Sequence, residues 1–331
     1  MAHVAAAIAA FIRDEIRLAR EDISSAVVSR KWFLDRIRSE IENRTKEPVL
    51  YAPDPFVYFG SYFKRTKVKD VDEFDILVVI DSNTGVFTRG GQQIGIGQGT
   101  ACPNYKYDRK YYKSDGSGVS PAKMLNWLKG VVETVTSSFG GEAPIRNGQA
   151  VTAYIKSKNL TIDLVPAGVF SRTSDGTTFY NIPRGDKNNG WIVTSPRQDI
   201  ELLNEVAKGK QWFRDVIRLC KYIRSSYNFL VSSFAIESAI VQYGQNEIWF
   251  NNHSESLFWN TKGALSYLAS RFREGSIPDP YDNANNLIAG VNSLAWYADR
   301  IDKIIATLDR LQDESDQAKV RECVKQLFRN G

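Results

Sequence analysis

At 331 residues, with 43% hydrophobic residues and 17 Phe, 15 Tyr and 7 Trp, the chain has material for a large core, built as two domains or one two-lobed unit. A net charge of +5, from 43 basic and 38 acidic residues, is compatible with polyanionic substrates and too weak to argue for a nucleic-acid-binding protein. Three cysteines (Cys102, Cys220, Cys323) without a CxxC pair, and only His3 and His253, speak against a zinc site and a disulfide scaffold and favour a reducing cytoplasm.

The opening AHVAAAIAAFI gives way to Arg13-Asp14-Glu15 too soon to span a bilayer, so no membrane partner is expected. Residues 3–46 carry Ile8, Phe11, Ile12, Ile16, Ile23, Val27, Leu34, Ile37 and Ile41 at helical spacing. One long helix or two fits this pattern, and Pro48 ends it. Its arginines and Lys31 alternate with acids, which reads as a solvated helix face before it reads as a nucleic-acid surface.

Val57-Tyr58-Phe59 is a short strand leading to a Gly60-Ser61 turn. After a basic segment the chain reaches Glu73-Phe74-Asp75 and then Ile76-Leu77-Val78-Val79-Ile80, a buried strand. Alternation puts Glu73 and Asp75 on one face and Phe74 on the other. Two readings are open for this carboxylate pair: a site for magnesium, a hard ion taking oxygen ligands, or a solvated acidic turn continuing Asp70 and Asp72. Residues 81–119 read as a surface loop; Gly95, Gly97 and Gly99 lack the GK[ST] and the strand-to-helix setting of a phosphate cradle.

Ser120-Pro121 starts a helix, with Ser at the cap, Pro just inside and Leu125, Leu128, Val131, Val132 and Val135 on its core face. Strands at Ala150–Ile155 and Leu160–Val165 follow, joined by a turn at Lys156–Asn159. Asp163 interrupts the second of them, where a buried carboxylate needs a partner, a metal or a raised pKa. From Trp191 the pattern turns helical, with helices expected over 196–207, 211–228, 232–242, 254–272, about 285–309 and 313–329. The expected layout is α+β: a catalytic lobe over 1–190 with a mixed sheet, and a helical lobe over 191–331, packed into one body and bridged by the N-terminal helices.

Gly-Ser, then Glu-x-Asp on one strand, then a lone Asp on a later strand resembles the signature of the polymerase β-like nucleotidyltransferases. The stretch Phe179-Tyr180-Asn181-Ile182-Pro183, Trp191, Arg218-Leu219-Cys220-Lys221-Tyr222 and Val231-Ser232-Ser233-Phe234-Ala235-Ile236-Glu237 resembles animal cyclic GMP-AMP synthases. The SFAIE wording, Asp279-Pro280 and Asn285-Asn286 are closer still to the bacterial cGAS/DncV-like nucleotidyltransferases (CD-NTases). The likeness covers roughly residues 57–290.

That resemblance implies a polymerase β-like fold in which Glu73, Asp75 and Asp163 hold two Mg²⁺ ions, with Mn²⁺ as a substitute, and Asp163 helps deprotonate a ribose hydroxyl. It implies that Gly60 and Ser61 hold the triphosphate tail of ATP or another nucleoside triphosphate, joined by Lys221 and Ser233. Phe234 would stack on a base and Thr194 would touch one. Each has a plainer alternative: Lys221 as a solvated helix charge, Ser233 as a helix cap, Phe234 as core. Three departures stand out. The turn continues to Arg65-Thr66 instead of Gly-Thr, Ile192 stands where the animal enzymes read a base with arginine, and the DNA-docking zinc insertion is missing.

The implied activity is synthesis of a cyclic di- or trinucleotide messenger in a cytoplasmic antiphage system, with a downstream effector that senses the product. No obligatory nucleic-acid activator is expected; a regulatory protein partner is one form that control would take. The alternatives are linear oligonucleotide synthesis and a catalytically inactive nucleic-acid-binding relative.

Overall fold

The computed structural model describes residues 1–18, 20–45, 47–68, 72–81, 109–115, 118–171, 178–185, 190–280 and 282–329. The glycine-rich stretch at 85–99 lies outside them.

The first helix, α1 (Ala2–Phe11), widens into a π turn at Ile12–Ile16, and the extended backbone of Arg17 (φ −71°, ψ 146°) stops it. A second helix, α2 (Arg20–Asn43), follows, so the N-terminal pattern is two helices. Ile8, Phe11, Ile12, Ile16, Leu34, Ile37 and Ile41 are buried as the spacing requires, while Ile23 and Val27 are half-buried.

Next come β1 (Phe56–Phe59), a single helical turn α3 (Gly60–Phe63) and β2 (Glu73–Ile80). Ile76 to Ile80 are fully buried, each worth about 1.5–3 kcal/mol as a large apolar side chain removed from water. Helix α4 (Pro121–Ser137) starts as its sequence specifies, the Ser120 hydroxyl accepting from the Lys123 amide at 3.4 Å.

The sheet continues with β3 (Ile145–Asn147), β4 (Ala150–Ile155), β5 (Leu160–Ser171), β6 (Thr178–Pro183) and β7 (Trp191–Thr194). Its order is β1-β2-β5-β4-β3, with β6 pairing β5 and β7 at the far end of β5. Among the described residues only the central β2–β5 pair is parallel; the other neighbours are antiparallel. Val57, Leu77, Val79, Ala150, Val165, Ala167, Tyr180 and Ile182 pack together on one face. Trp191–Thr194, expected to open the helical part, is thus a strand, because its residues pair with Tyr180–Pro183.

The helices that follow are α5 (Pro196–Ala207), α6 (Phe213–Ser226), α7 (Ser233–Asn246) and α8 (Ser256–Glu274). A small hairpin, β8 (Pro278–Asp279) with β9 (Asp282–Asn286), precedes α9 (Leu294–Arg310) and α10 (Gln317–Arg329). Residues 285–293 are therefore not the start of a helix. Asn285 and Asn286 belong to the hairpin, and left-handed Gly290 and Ser293 (φ 73° and 67°) hold the chain out of helix until Leu294.

Two compact units result: one of Ala19–Lys64 and Val71–Ile200, which contains the whole seven-stranded sheet, and one of Met1–Leu18, Arg65–Asp70 and Glu201–Gly331. The second is helical, with a core built from α1, α6, α7, α8, α9 and α10. Within it, burial pushes the Cys220 thiol up to about 12, so it is an inert core side chain, and Cys323 is half-buried. No helix among the described residues is long and apolar enough to cross a membrane.

Candidate active site

Strand register assembles the carboxylates. Glu73 and Asp75 are two apart on β2, and the parallel register sets Asp75 directly beside Asp163 of β5. Alternation therefore turns all three side chains to the face that carries Leu77, Val79, Val165 and Ala167. Each is half-buried, and their ligand oxygens lie within 4.8 Å of one another. Three converging carboxylate oxygens, without a nitrogen or sulfur donor among them, fit a hard divalent cation. The reading of Glu73 and Asp75 as a solvated acidic turn does not describe this geometry, since Asp163 closes the group from a different strand.

Thr152, on β4 opposite Asp163, is the residue that sequence reasoning missed. Its hydroxyl donates to Asp163 Oδ1 at 2.6 Å, which fixes the carboxylate's rotation. A threonine in a strand is unremarkable until the register is known, so only the β4–β5 pairing could have revealed it.

The Gly60-Ser61 turn comes to the same place by the other edge of β2. Phe59 pairs with Asp75 across the β1–β2 ladder, so Gly60 is the first residue beyond the strand end next to that carboxylate. Gly60 has φ 77°, and a Cβ built on it would overlap Asp75 Oδ2 and lie 2.7 Å from Asp75 Cγ. Glycine is required here twice, for the left-handed backbone and for the close approach. Gly60→Ala is expected to displace the Asp75 carboxylate and reduce product formation at least about 100-fold, with the far-ultraviolet circular dichroism retained. Wild-type turnover in that variant would mean the turn and the carboxylate are not one site.

Ser61 is half-buried on α3, and Thr194 is half-buried at the end of β7, where it pairs with Tyr180. Lys64, just past the turn, is buried and paired with Asp199 of α5 at 3.5 Å.

Lys221, Ser233 and Phe234 lie in the helical unit. Lys221 is not a solvated charge: it is 7% exposed, and its ammonium lies 3.2 Å from Glu237 and 3.2 Å from the Thr66 hydroxyl. Thr66 in turn donates to Glu237 at 2.6 Å, closing a buried three-membered network between the segment after the turn, α6 and α7. Ser232, not Ser233, caps α7, accepting from the Ala235 amide at 3.1 Å. The Ser233 hydroxyl instead accepts from Arg224 at 3.4 Å. Phe234 is half-buried at the start of the same helix and not a core side chain.

No protein-family model matches the chain. A probable cyclic nucleotide synthase of Bacillus cereus (strain VD146) is 26% identical over 259 residues, 78% of this chain and 75% of the relative. Among solved structures, CdnC of E. coli MS115-1 with ATP superposes with a TM-score of 0.67 at 16% identity, covering 98% of this chain and 97% of CdnC. CdnC in its complex with HORMA-deltaN gives the same TM-score and identity, over 98% of this chain and 96% of CdnC. The fold is therefore that of CdnC, the polymerase β-like nucleotidyltransferase architecture the motifs implied.

Proposed function

We infer that this chain belongs to the cGAS/DncV-like nucleotidyltransferase family and is a cyclic oligonucleotide synthase. It would join nucleoside triphosphates by attack of a ribose hydroxyl on an α-phosphate, forming a P–O bond, breaking the bond to the β-phosphate and releasing pyrophosphate. The observation that carries this reading is the in-register Asp75–Asp163 pair, with Glu73 on the same face and the Gly60-Ser61 turn against it. A fold alone supports many functions, so the site bears the argument. The name of the Bacillus cereus relative supports the product class.

Glu73, Asp75 and Asp163 are the residues that would hold Mg²⁺. The bound ion would supply Lewis-acid stabilisation of the phosphate charge and lower the pKa of the attacking hydroxyl. The chain's own part is positional and acid–base. Thr152 holds one oxygen of Asp163 and so fixes the rotation of the carboxylate that would take the hydroxyl proton. Ser61 and the backbone amides of its turn are proposed to bind the triphosphate tail, and Thr194 to touch a base. Ser233 and Phe234 carry the family-derived proposal of nucleotide contacts on the helical unit. Lys221 would share it from within its pairing with Glu237 and Thr66.

The test is incubation with all four nucleoside triphosphates and Mg²⁺ or Mn²⁺, followed by mass spectrometry and phosphatase digestion. A phosphatase-resistant product with pyrophosphate release is expected, ATP being a substrate because CdnC was solved with it. A phosphatase-sensitive product would make the enzyme a linear synthase, and no pyrophosphate would make it an inactive relative.

We further propose a bacterial antiphage setting in the cytoplasm, with a regulatory protein partner, on the likeness to CdnC in its HORMA-deltaN complex. Activity is expected without added nucleic acid. The net charge of +5 is small, and an enzyme switched on by a duplex would need several phosphate contacts and lose activity steeply with salt. Paired reactions of nuclease-treated protein, with and without long duplex DNA or RNA, check this. Silence alone with strong stimulation by a duplex would reverse it.

A further inference from the structure

Behind the carboxylates, on the opposite face of β2, a single guanidinium is surrounded by rings. The carbon at the centre of the Arg30 guanidinium, on α2, lies 4.7 Å from the ring centre of Tyr58, 4.8 Å from that of Phe74 and 5.1 Å from that of Phe63. Those rings also pack on one another. Tyr58 stacks on Phe63 with centroids 4.8 Å apart, and Tyr62 meets Phe63 and Phe74 edge-on at 5.0 and 4.7 Å. Arg30 Nε and Nη1 are buried without a hydrogen-bond partner, and among the described residues Arg30 forms no ion pair. Arg30 is half-buried as a whole, and at its two buried nitrogens the negative ring faces offset the cost of leaving water.

The origin of the rings gives the contact its meaning. Tyr58 is two residues before Gly60 on β1, Phe63 is two residues after Ser61 on α3, and Phe74 lies between Glu73 and Asp75 on β2. Arg30 therefore touches, from behind, each of the three elements that present the turn and the β2 carboxylates in front. Gly60 and Asp75 are so close that no Cβ fits between them. A shift of α3 against β2 by the width of one methyl group would open or crush that contact.

We propose that Arg30 is a positioning residue: its guanidinium, caged by Tyr58, Phe63 and Phe74, sets the spacing between the Gly60-Ser61 turn and the Glu73–Asp75 carboxylates. This rests on the metal-site reading above, and it predicts that loss of the cage damages ion and triphosphate binding out of proportion to stability. Supporting residues behind a metal site typically change its affinity by about 10–100-fold when lost.

The experiment measures Mn²⁺ binding by electron paramagnetic resonance, the triphosphate KM and kcat, and the melting temperature. It compares wild type, Arg30→Met, Arg30→Lys and Leu34→Ala. Leu34 is buried one turn further along α2 and is not one of the rings around the guanidinium, so its truncation controls for lost stability. Arg30→Met is expected to raise the Mn²⁺ Kd about tenfold and to raise KM. Leu34→Ala should lower the melting temperature at least as far with an unchanged Kd. Arg30→Lys keeps a charge but not the planar, stacking fork, and should fall between wild type and Arg30→Met; if Arg30→Met does not fold, a weakened Mn²⁺ Kd in Arg30→Lys stands in for it. Wild-type Kd and KM in both Arg30 variants would overturn the proposal, as would an equal rise in Kd for Leu34→Ala. Failure of the wild-type protein to bind Mn²⁺ would be a failure of the metal reading itself, which the comparison separates from the failure of Arg30.

Discussion

Asp75→Asn and Asp163→Asn are each expected to lower product formation by about 10³-fold or more, with the fold intact. The three carboxylates present oxygens within 4.8 Å of one another, so each substitution removes one of few available charged ligands. The bound ion would stabilise charge that develops in the transition state, and a loss of about 4 kcal/mol there corresponds to that factor. Stability is expected to hold or rise slightly, because one of three mutually repelling charges is gone. Pyrophosphate release and thermal melting, measured on the same preparations, check both halves. Near-native turnover in either variant would remove the metal-site assignment. A collapse of melting temperature without loss of specific activity would make the cluster structural.

Lys221→Ala is expected to destabilise the helical unit by about 3–5 kcal/mol, the usual cost of breaking a buried ion pair by removing one partner. Glu237, 4% exposed, would keep the Thr66 hydroxyl but lose the ammonium beside it. This revises what the sequence suggests, where loss of a phosphate-binding or solvated lysine should raise KM and leave stability alone. Replacing both members, Lys221→Met with Glu237→Leu, should recover most of the loss, because no charge is then stranded. Denaturant melts of the two single variants and the double variant measure the coupling. A stable Lys221→Ala with a raised KM would return the residue to the phosphate role.

Much of the site was legible because it is written in short-range patterns. The run Ile76–Ile80 demanded burial, the i, i+2 spacing of Glu73 and Asp75 demanded a shared face, and Asp163 stood out as a charge within an apolar strand. Ser120-Pro121 and the Lys156–Asn159 turn followed from local chemistry, and Asn159 does take the left-handed backbone (φ 47°). What escaped depends on partners remote in sequence. Thr152 matters only through its register with Asp163. Lys221 is explained by Thr66 and Glu237, neither of which helical spacing could attach to it. Arg30 reads as one more charge on a mixed-charge helix until the rings of three other elements are seen around it. The helix expected from 285 failed for a local reason that was visible: Gly290 and the asparagines favour turns, and the apolar spacing outweighed them.

The parallel pairing of β2 with β5 also governs how the protein must fold. Asp75 and Asp163 become neighbours only when a loop of about 90 residues closes, and such non-local strand pairing carries its entropy cost before any contact rewards it. Helices α6 to α9, by contrast, pack largely on their neighbours in sequence, while α10 closes onto α1. On refolding, the helical signal should therefore develop first, and cation binding should wait for the central strands. A chain arrested between those two stages would look largely helical and yet be unable to hold a metal ion.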